Sequence, residues 1–187
     1  MINVIVDFTF IKNKFPANTP KAFKRKHTIQ FLQLIHPEYR ITWEECLSWE
    51  GKTPVSVIEG YDWMQKLKRY GDVYGVWLNH IIIPNQTSCI RCGELCKPEA
   101  SEGRTITVYT SLKEEPSRGT IFSSRCVARR SCGHRSHYGW DLFRGINAEE
   151  SEFKVQKNRH ELEFWVVSNS TAFKTAMIQK ELFPQVL

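Results

Sequence analysis

Four cysteines constrain this chain more than any other feature. They fall in two pairs, Cys89-x2-Cys92 and Cys126-x5-Cys132, and the second cysteine of each pair is followed by glycine, Gly93 and Gly133. A metal knuckle turns the backbone sharply so that two thiolates face one ion, and glycine after the second cysteine accepts the positive φ of such a turn. Two knuckles supply the tetrahedral sulfur set that zinc favours.

The segment between the pairs supplies a way to bring them together. Residues 104–110 are rich in β-branched side chains, residues 114–119 carry turn chemistry, and residues 120–124 read as a returning strand. The expected antiparallel hairpin carries Cys126 back beside Cys89, the layout of a zinc ribbon. The expected ligands are Cys89, Cys92, Cys126 and Cys132, with Zn2+ as the ion. A site of three cysteines and one histidine, or a second ion held by Cys96, His134 and His137, remains chemically allowed. Cys46, alone in the N-terminal part, is expected to be a small buried hydrophobe.

A disulfide framework is the competing reading. It draws on the even count of six cysteines and on the glycosylation-type triplets Asn85-Gln86-Thr87 and Asn169-Ser170-Thr171. Against it, the opening residues lack the positive leader and small-residue cleavage site of a secretory signal, and Asp7 interrupts their apolar run. Secretion is not expected, which favours free thiols or metal. No apolar run approaches the roughly 20 residues of a membrane span.

The catalytic motifs that could use these residues are missing. A zinc deaminase needs His-x-Glu followed by Pro-Cys-x2-Cys, whereas His80 is followed by Ile81 and Ile82, and Pro84 is not adjacent to Cys89. The chain contains no nucleophile elbow, P-loop, dinucleotide fingerprint or His-Glu-x-x-His. Asp62, Asp72 and Asp141 are not grouped by spacing. Four cysteine ligands leave no open position for water, so the reading is a structural ion and no enzyme.

The net charge is +6, and its distribution is uneven. Residues 8–37 contain no acid but hold Lys12, Lys14, Lys21, Lys24, Arg25 and Lys26. Residues 116–140 contain no acid but hold Arg118, Arg125, Arg129, Arg130 and Arg135. A solvated basic face is one reading of each run. The other is a nucleic-acid surface, with Arg125, Arg129, Arg130 and Arg135 held by the second knuckle and Lys24, Arg25 and Lys26 contributing from the N-terminal part.

The expected fold class is α+β. The first residues alternate Ile2, Val4, Val6, Phe8 and Phe10 against Asn3, Asp7 and Thr9, which predicts one half-buried strand. Helices are expected over residues 22–35, after a capping Thr42, and over residues 55–70 ending near Gly71. Trp43, Trp49, Trp63, Tyr70 and Trp77 read as core more readily than as a stacking surface. At the other end, residues 162–167 read as a strand, and Ser168-Asn169-Ser170-Thr171 as the cap of a terminal helix. The expected domains are a mostly helical part at 1–84, the cysteine cluster at 85–145, and a strand and helix at 146–187 that pack on it.

Cys89-x2-Cys92, Val108-Tyr109-Thr110, Gly119, Arg125-Cys126, Cys132 and Tyr138 together resemble the cysteine-cluster domains associated with KDZ transposases, those of Kyakuja, Dileera and Zisupton elements. The stretch from Trp165 to Phe173 is similar to the segment C-terminal to the cluster in those proteins. The resemblance spans roughly residues 80–185. It implies a zinc module in a mobile-element or domesticated protein that acts on DNA in the nucleus, DNA ahead of RNA, with a transposase as a possible partner. In that family the transposase is a separate RNase H-like region, so the resemblance implies no catalysis here. The five-residue gap and the two histidines after Cys132 depart from the pattern and keep the ligand alternatives open. The other class of function is a zinc-stabilised scaffold whose arginines meet an acidic protein, which charge reversal at Arg129 and Arg130 would separate from DNA binding.

Overall fold

A computed structural model describes residues 2–51, 62–99, 103–128, 132–143, 153–157 and 162–182. The chain is mixed α and β, and it divides into two compact units, Met1–Asn79 and His80–Leu187.

The first unit contains helices α1 (Ile2–Lys14), α2 (Lys21–Ile35), α3 (Trp43–Ser48) and α4 (Trp63–Tyr74). The strand expected at the N-terminus is a helix instead. Val4, Asp7, Phe8 and Ile11 are buried together at helical spacing, while Ile2, which a strand would have turned inward, is 67% exposed. The alternation was incidental, and packing decided. Asp7, which looks like the polar face of a strand, is the buried polar member of this stripe. Its carboxylate accepts two hydrogen bonds from Lys66 Nζ, both 2.8 Å, and lies 2.7 Å from His36 Nε2.

Helix α2 starts after Pro20 and closes at His36, just before Pro37, as the sequence predicts. Thr42 and Glu45 form a reciprocal capping box at the start of α3. Cys46 is fully buried there, and burial pushes its thiol up to about 11. The aromatic residues pack inward: Trp63 stacks on Phe10, Trp49 meets Phe8 edge-on, and Tyr70 hydrogen-bonds His27 and Gln30.

Helix α4 runs past Gly71 and stops at Gly75, which takes the left-handed conformation. Residues 55–61 of the expected helix lie outside the described residues. Gly71 serves close approach rather than termination, because a Cβ there would sit 2.4 Å from the Trp77 ring. On an open helix face Gly→Ala stabilises by about 1 kcal/mol. Here Gly71→Ala is expected to destabilise by about 1–3 kcal/mol through overpacking. The penalty should shrink in a Trp77→Leu background; a melting temperature raised by Gly71→Ala alone would contradict this packing.

The second unit contains two five-stranded sheets. The first has the order β1-β4-β3-β10-β9, from β1 (Ile81–Ile82), β3 (Arg104–Tyr109), β4 (Ser117–Ile121), β9 (Phe164–Val166) and β10 (Thr171–Lys174). The second has the order β2-β5-β6-β7-β8, from β2 (Cys96–Pro98), β5 (Ser124–Cys126), β6 (His134–His137), β7 (Trp140–Phe143) and β8 (Phe153–Gln156). The expected hairpin is β3 and β4, antiparallel with Arg104 opposite Ile121. It belongs to the first sheet, and the cysteine strands β2 and β5 belong to the second.

The core of the first sheet is apolar, built from Ile82, Ile106, Val108, Ile121, Phe164 and Ala172. Tyr138, from the turn between β6 and β7, completes it, and its hydroxyl accepts the Glu163 N–H at 3.1 Å. The C-terminal helix expected after Ser168 is displaced. Residues 168–170 form a turn instead, and β10 inserts between β9 and β3, where it is hydrogen-bonded on both sides and Phe173 stacks on Tyr109. Only then does a helical turn, Thr175–Met177, begin, followed by a π-helical turn at Ile178–Leu182. Two strand ladders outweigh one helix cap.

Candidate metal centre

The two knuckles are built by local hydrogen bonds. Cys89 N–H donates to the Glu94 carbonyl at 2.6 Å and Gly93 N–H to the Cys89 carbonyl at 2.9 Å, which folds residues 89–94 into a tight loop. Gly93 and Gly133 take φ of +77° and +61°, the left-handed turn that a side chain would strain. The second pair is closed by Cys132 N–H donating to the Ala128 carbonyl. Arg91, between the first two cysteines, donates from Nη1 to the Cys132 carbonyl at 3.0 Å and ties one knuckle to the other.

These turns bring Cys89, Cys92, Cys126 and Cys132 together, with all four sulfurs within 4.8 Å of one another. Cys89 Sγ lies 3.3 Å from Cys132 Sγ, and Cys92 Sγ lies 3.5 Å from Cys126 Sγ. Tetrahedral bonds of about 2.3 Å to one ion place the sulfurs about 3.8 Å apart, so the cluster is the size of a ligand sphere. A disulfide needs about 2.05 Å. All six cysteines are free, which removes the disulfide reading. The four-sulfur cluster could hold a metal ion.

Burial raises the Cys126 thiol and pushes that of Cys132 up to about 12, while the Glu94 backbone N–H lowers that of Cys92. Three other groups orient the cluster. The Arg91 N–H points at Cys89 Sγ at 3.4 Å. His134, fully buried, sets Nδ1 3.1 Å from Cys89 Sγ and Nε2 3.0 Å from Asp141 Oδ1. Lys157 Nζ lies 3.3 Å from the same Asp141 oxygen and donates to Ser136 Oγ. With Nε2–H donated to the Asp141 carboxylate, His134 turns the lone pair of Nδ1 toward the sulfur cluster, the carboxylate–histidine arrangement of metal sites, so the site of three cysteines and one histidine stays a chemical alternative to the four-sulfur set.

The alternative ligands are not assembled into a second set among the described residues. Cys96 Sγ is 4.0 Å from His134 Nδ1, and burial pushes its thiol up to about 11. His137 is elsewhere, stacked on Trp140 with ring centres 3.8 Å apart.

Comparison with family models, curated proteins and solved structures finds no match. The chemistry of the site must therefore be read from its own geometry.

The second sheet separates its chemistry by face, because successive strand residues point to opposite sides. Cys96 pairs with Cys126, Ser124 with Ser136, and Ser136 with Asp141. All of these are buried on the cluster side. Their neighbours Lys97, Arg125 and Arg135 stand opposite one another in a row across β2, β5 and β6. Lys97 is exposed and the two arginines are half-exposed. Arg135 Nε pairs with Glu99 Oε1 at 2.9 Å. Lys97 and Arg125 have no carboxylate partner among the described residues.

Of the other basic residues named from sequence, Arg129 and Arg130 lie outside the described residues. Lys24, Arg25 and Lys26 are successive residues of α2 and point in three directions. Lys24 donates to the Ala17 carbonyl, and Arg25 reaches Glu44 at 3.8 Å. They do not form one surface. Lys97 was missed in the sequence, although the alternations Cys96-Lys97-Pro98, Ser124-Arg125-Cys126 and His134-Arg135-Ser136 carried the signal.

Proposed function

We propose that this chain is a non-catalytic zinc module that binds nucleic acid, DNA ahead of RNA, through the basic row on its cysteine-held sheet. Zinc is the metal that an all-sulfur, closed, tetrahedral donor set favours, and the knuckle pair reads as ribbon-like. The row Lys97, Arg125 and Arg135 carries the functional reading. Like charges placed directly opposite on a sheet destabilise it. A polyanion laid across the row relieves that repulsion, and the backbone beneath is fixed by the ion, so presenting the cations to phosphates has little ordering cost. The sequence resemblance extends the proposal to a transposon-derived or transposase-associated protein acting in the nucleus.

Binding is expected to be steeply salt-dependent. Arg125→Gln should weaken binding about equally across sequences and reduce the slope of log affinity against log salt by about 1. Mobility-shift titrations over a range of salt concentrations measure both, and the absence of any salt-sensitive binding sinks the proposal.

A second reading has its own observation. Ile90, Leu95 and Val127 are 60%, 50% and 40% exposed around the knuckles, and Val127 N–H donates to the Leu95 carbonyl. Apolar side chains beside a basic row suit a docking surface for an acidic protein. Charge reversal at Lys97 and Arg125 that abolishes capture of a protein partner but leaves nucleic-acid binding intact would favour this scaffold.

A further inference from the structure

Beside the basic row lies a cavity of about 430 Å³, within the range of small-molecule sites. Aromatic groups form much of its wall: the stacked pair His137 and Trp140, with Phe164 and Trp165 from β9. Arg104 and Asn169 add polar groups, and no acidic residue lines it among the described residues. Arg104 is exposed at the start of β3, without a carboxylate partner among the described residues. Burial pushes the His137 imidazole down to about 4, so at neutral pH the ring is an uncharged aromatic and Arg104 is the cation of the cavity.

The cavity and the row are continuous in one sense that matters. His137 and Arg135 are two apart on β6 and therefore share a face. Glu99, Arg104, Arg135 and Asp141 all lie close enough to the His137 ring to bias its charge, the two carboxylates against the two guanidinium groups. A strand whose phosphates track Lys97, Arg125 and Arg135 is thus led to an aromatic recess with one more cation, the exposed Arg104, in its lining. Aromatic recesses of this kind take bases by their π-faces, without regard to sequence.

We infer that this cavity accepts an unstacked base of a single-stranded nucleic acid, stacked against the Trp165 and His137–Trp140 walls with an adjoining phosphate on Arg104. The inference rests on the nucleic-acid reading of the basic row, and it adds that the ligand is single-stranded at this point.

The test compares a short oligothymidylate with an abasic oligonucleotide of the same length and charge, using the intact zinc-loaded chain. Stacking is expected to make the intact strand bind about 5- to 150-fold more tightly. It should also quench tryptophan fluorescence, which the abasic strand should not do. Trp165→Ala should remove most of the difference between the two strands, and Arg104→Gln, at an exposed position, should weaken binding of the intact strand. Arg125→Gln should weaken both strands alike. Equal, salt-sensitive affinities for the two strands, without quenching, overturn the base pocket and leave the nucleic-acid reading standing. No binding of either strand overturns both. The quenching arm uses the unaltered protein, so it decides even if Trp165→Ala fails to fold.

Discussion

Removing the metal is expected to unfold the second sheet of the C-terminal unit while the first sheet and the N-terminal helices keep their hydrogen-bond protection. The reason is the make-up of each core. The first sheet closes over Ile82, Ile106, Val108, Ile121, Phe164 and Ala172, and of its described core only Tyr138 comes from the β6–β7 turn of the second sheet. The buried side of the second is Cys89, Cys96, Cys126 and Cys132 with His134, Ser136 and Asp141 around them, and the polar members of this set gain little from leaving water unless an ion holds the cluster together. Structural zinc in such sites contributes about 10–16 kcal/mol of apparent binding free energy, comparable to the whole stability of an ordinary domain. Chelation, or Cys132→Ser, should therefore bring amide exchange in β5, β6 and β7 close to unfolded rates. The helices α1, α2 and α4 should be unchanged. Exchange that stays slow in β5 and β6 after chelation would mean that the ion is not what holds this sheet.

The largest effect expected from a single substitution in the N-terminal unit is at Asp7. Its side chain is fully buried, and its two oxygens satisfy Lys66 and His36 from α4 and the end of α2. Lys66 Nζ also lies 5.1 Å over the Trp63 ring, which holds the ammonium in place. Asp7→Ala leaves a mostly buried ammonium without its counter-charge, a change that costs about 3–5 kcal/mol. That is a large part of the stability of a unit this small, so its thermal transition should fall far or vanish. Replacing Asp7 by leucine and Lys66 by methionine together should recover much of the loss, since a buried pair exchanged for apolar side chains is often neutral. A loss below about 1 kcal/mol for Asp7→Ala alone, in denaturant titration, would contradict the network.

The contrast between these two sites explains how much was legible in the sequence. Cysteine spacing and the glycines at 93 and 133 describe local turns, and local turns are written in local sequence; the four-sulfur cluster, the β3–β4 hairpin, the Thr42 cap and helix α2 all obey short-range rules. The errors fall where distant segments decide. The period of two over Ile2 to Phe10 lost to a helical stripe whose value depends on α2 and α4. The serine and threonine residues after Val167 satisfied the rules for a helix cap, but β10 had an open place beside β3, over sixty residues earlier in the chain. The basic row was only half visible: Arg125 and Arg135 belong to one sequence cluster, yet it is strand register that sets them beside Lys97. The cavity was not legible at all, because it needs Arg104, Trp140 and Trp165 from three separate strands.

The central claim is one ion held by four sulfurs, and X-ray absorption at the metal edge of the purified chain, with metal and thiol counted per molecule, tests it most directly. The expected result is one zinc per chain with four sulfur neighbours at about 2.3 Å and no nitrogen or oxygen neighbour. A sulfur replaced by a nitrogen at about 2.0–2.1 Å would put His134 in the ligand sphere. Less than one metal per chain with all thiols reduced, or thiols lost to disulfides, would contradict the account.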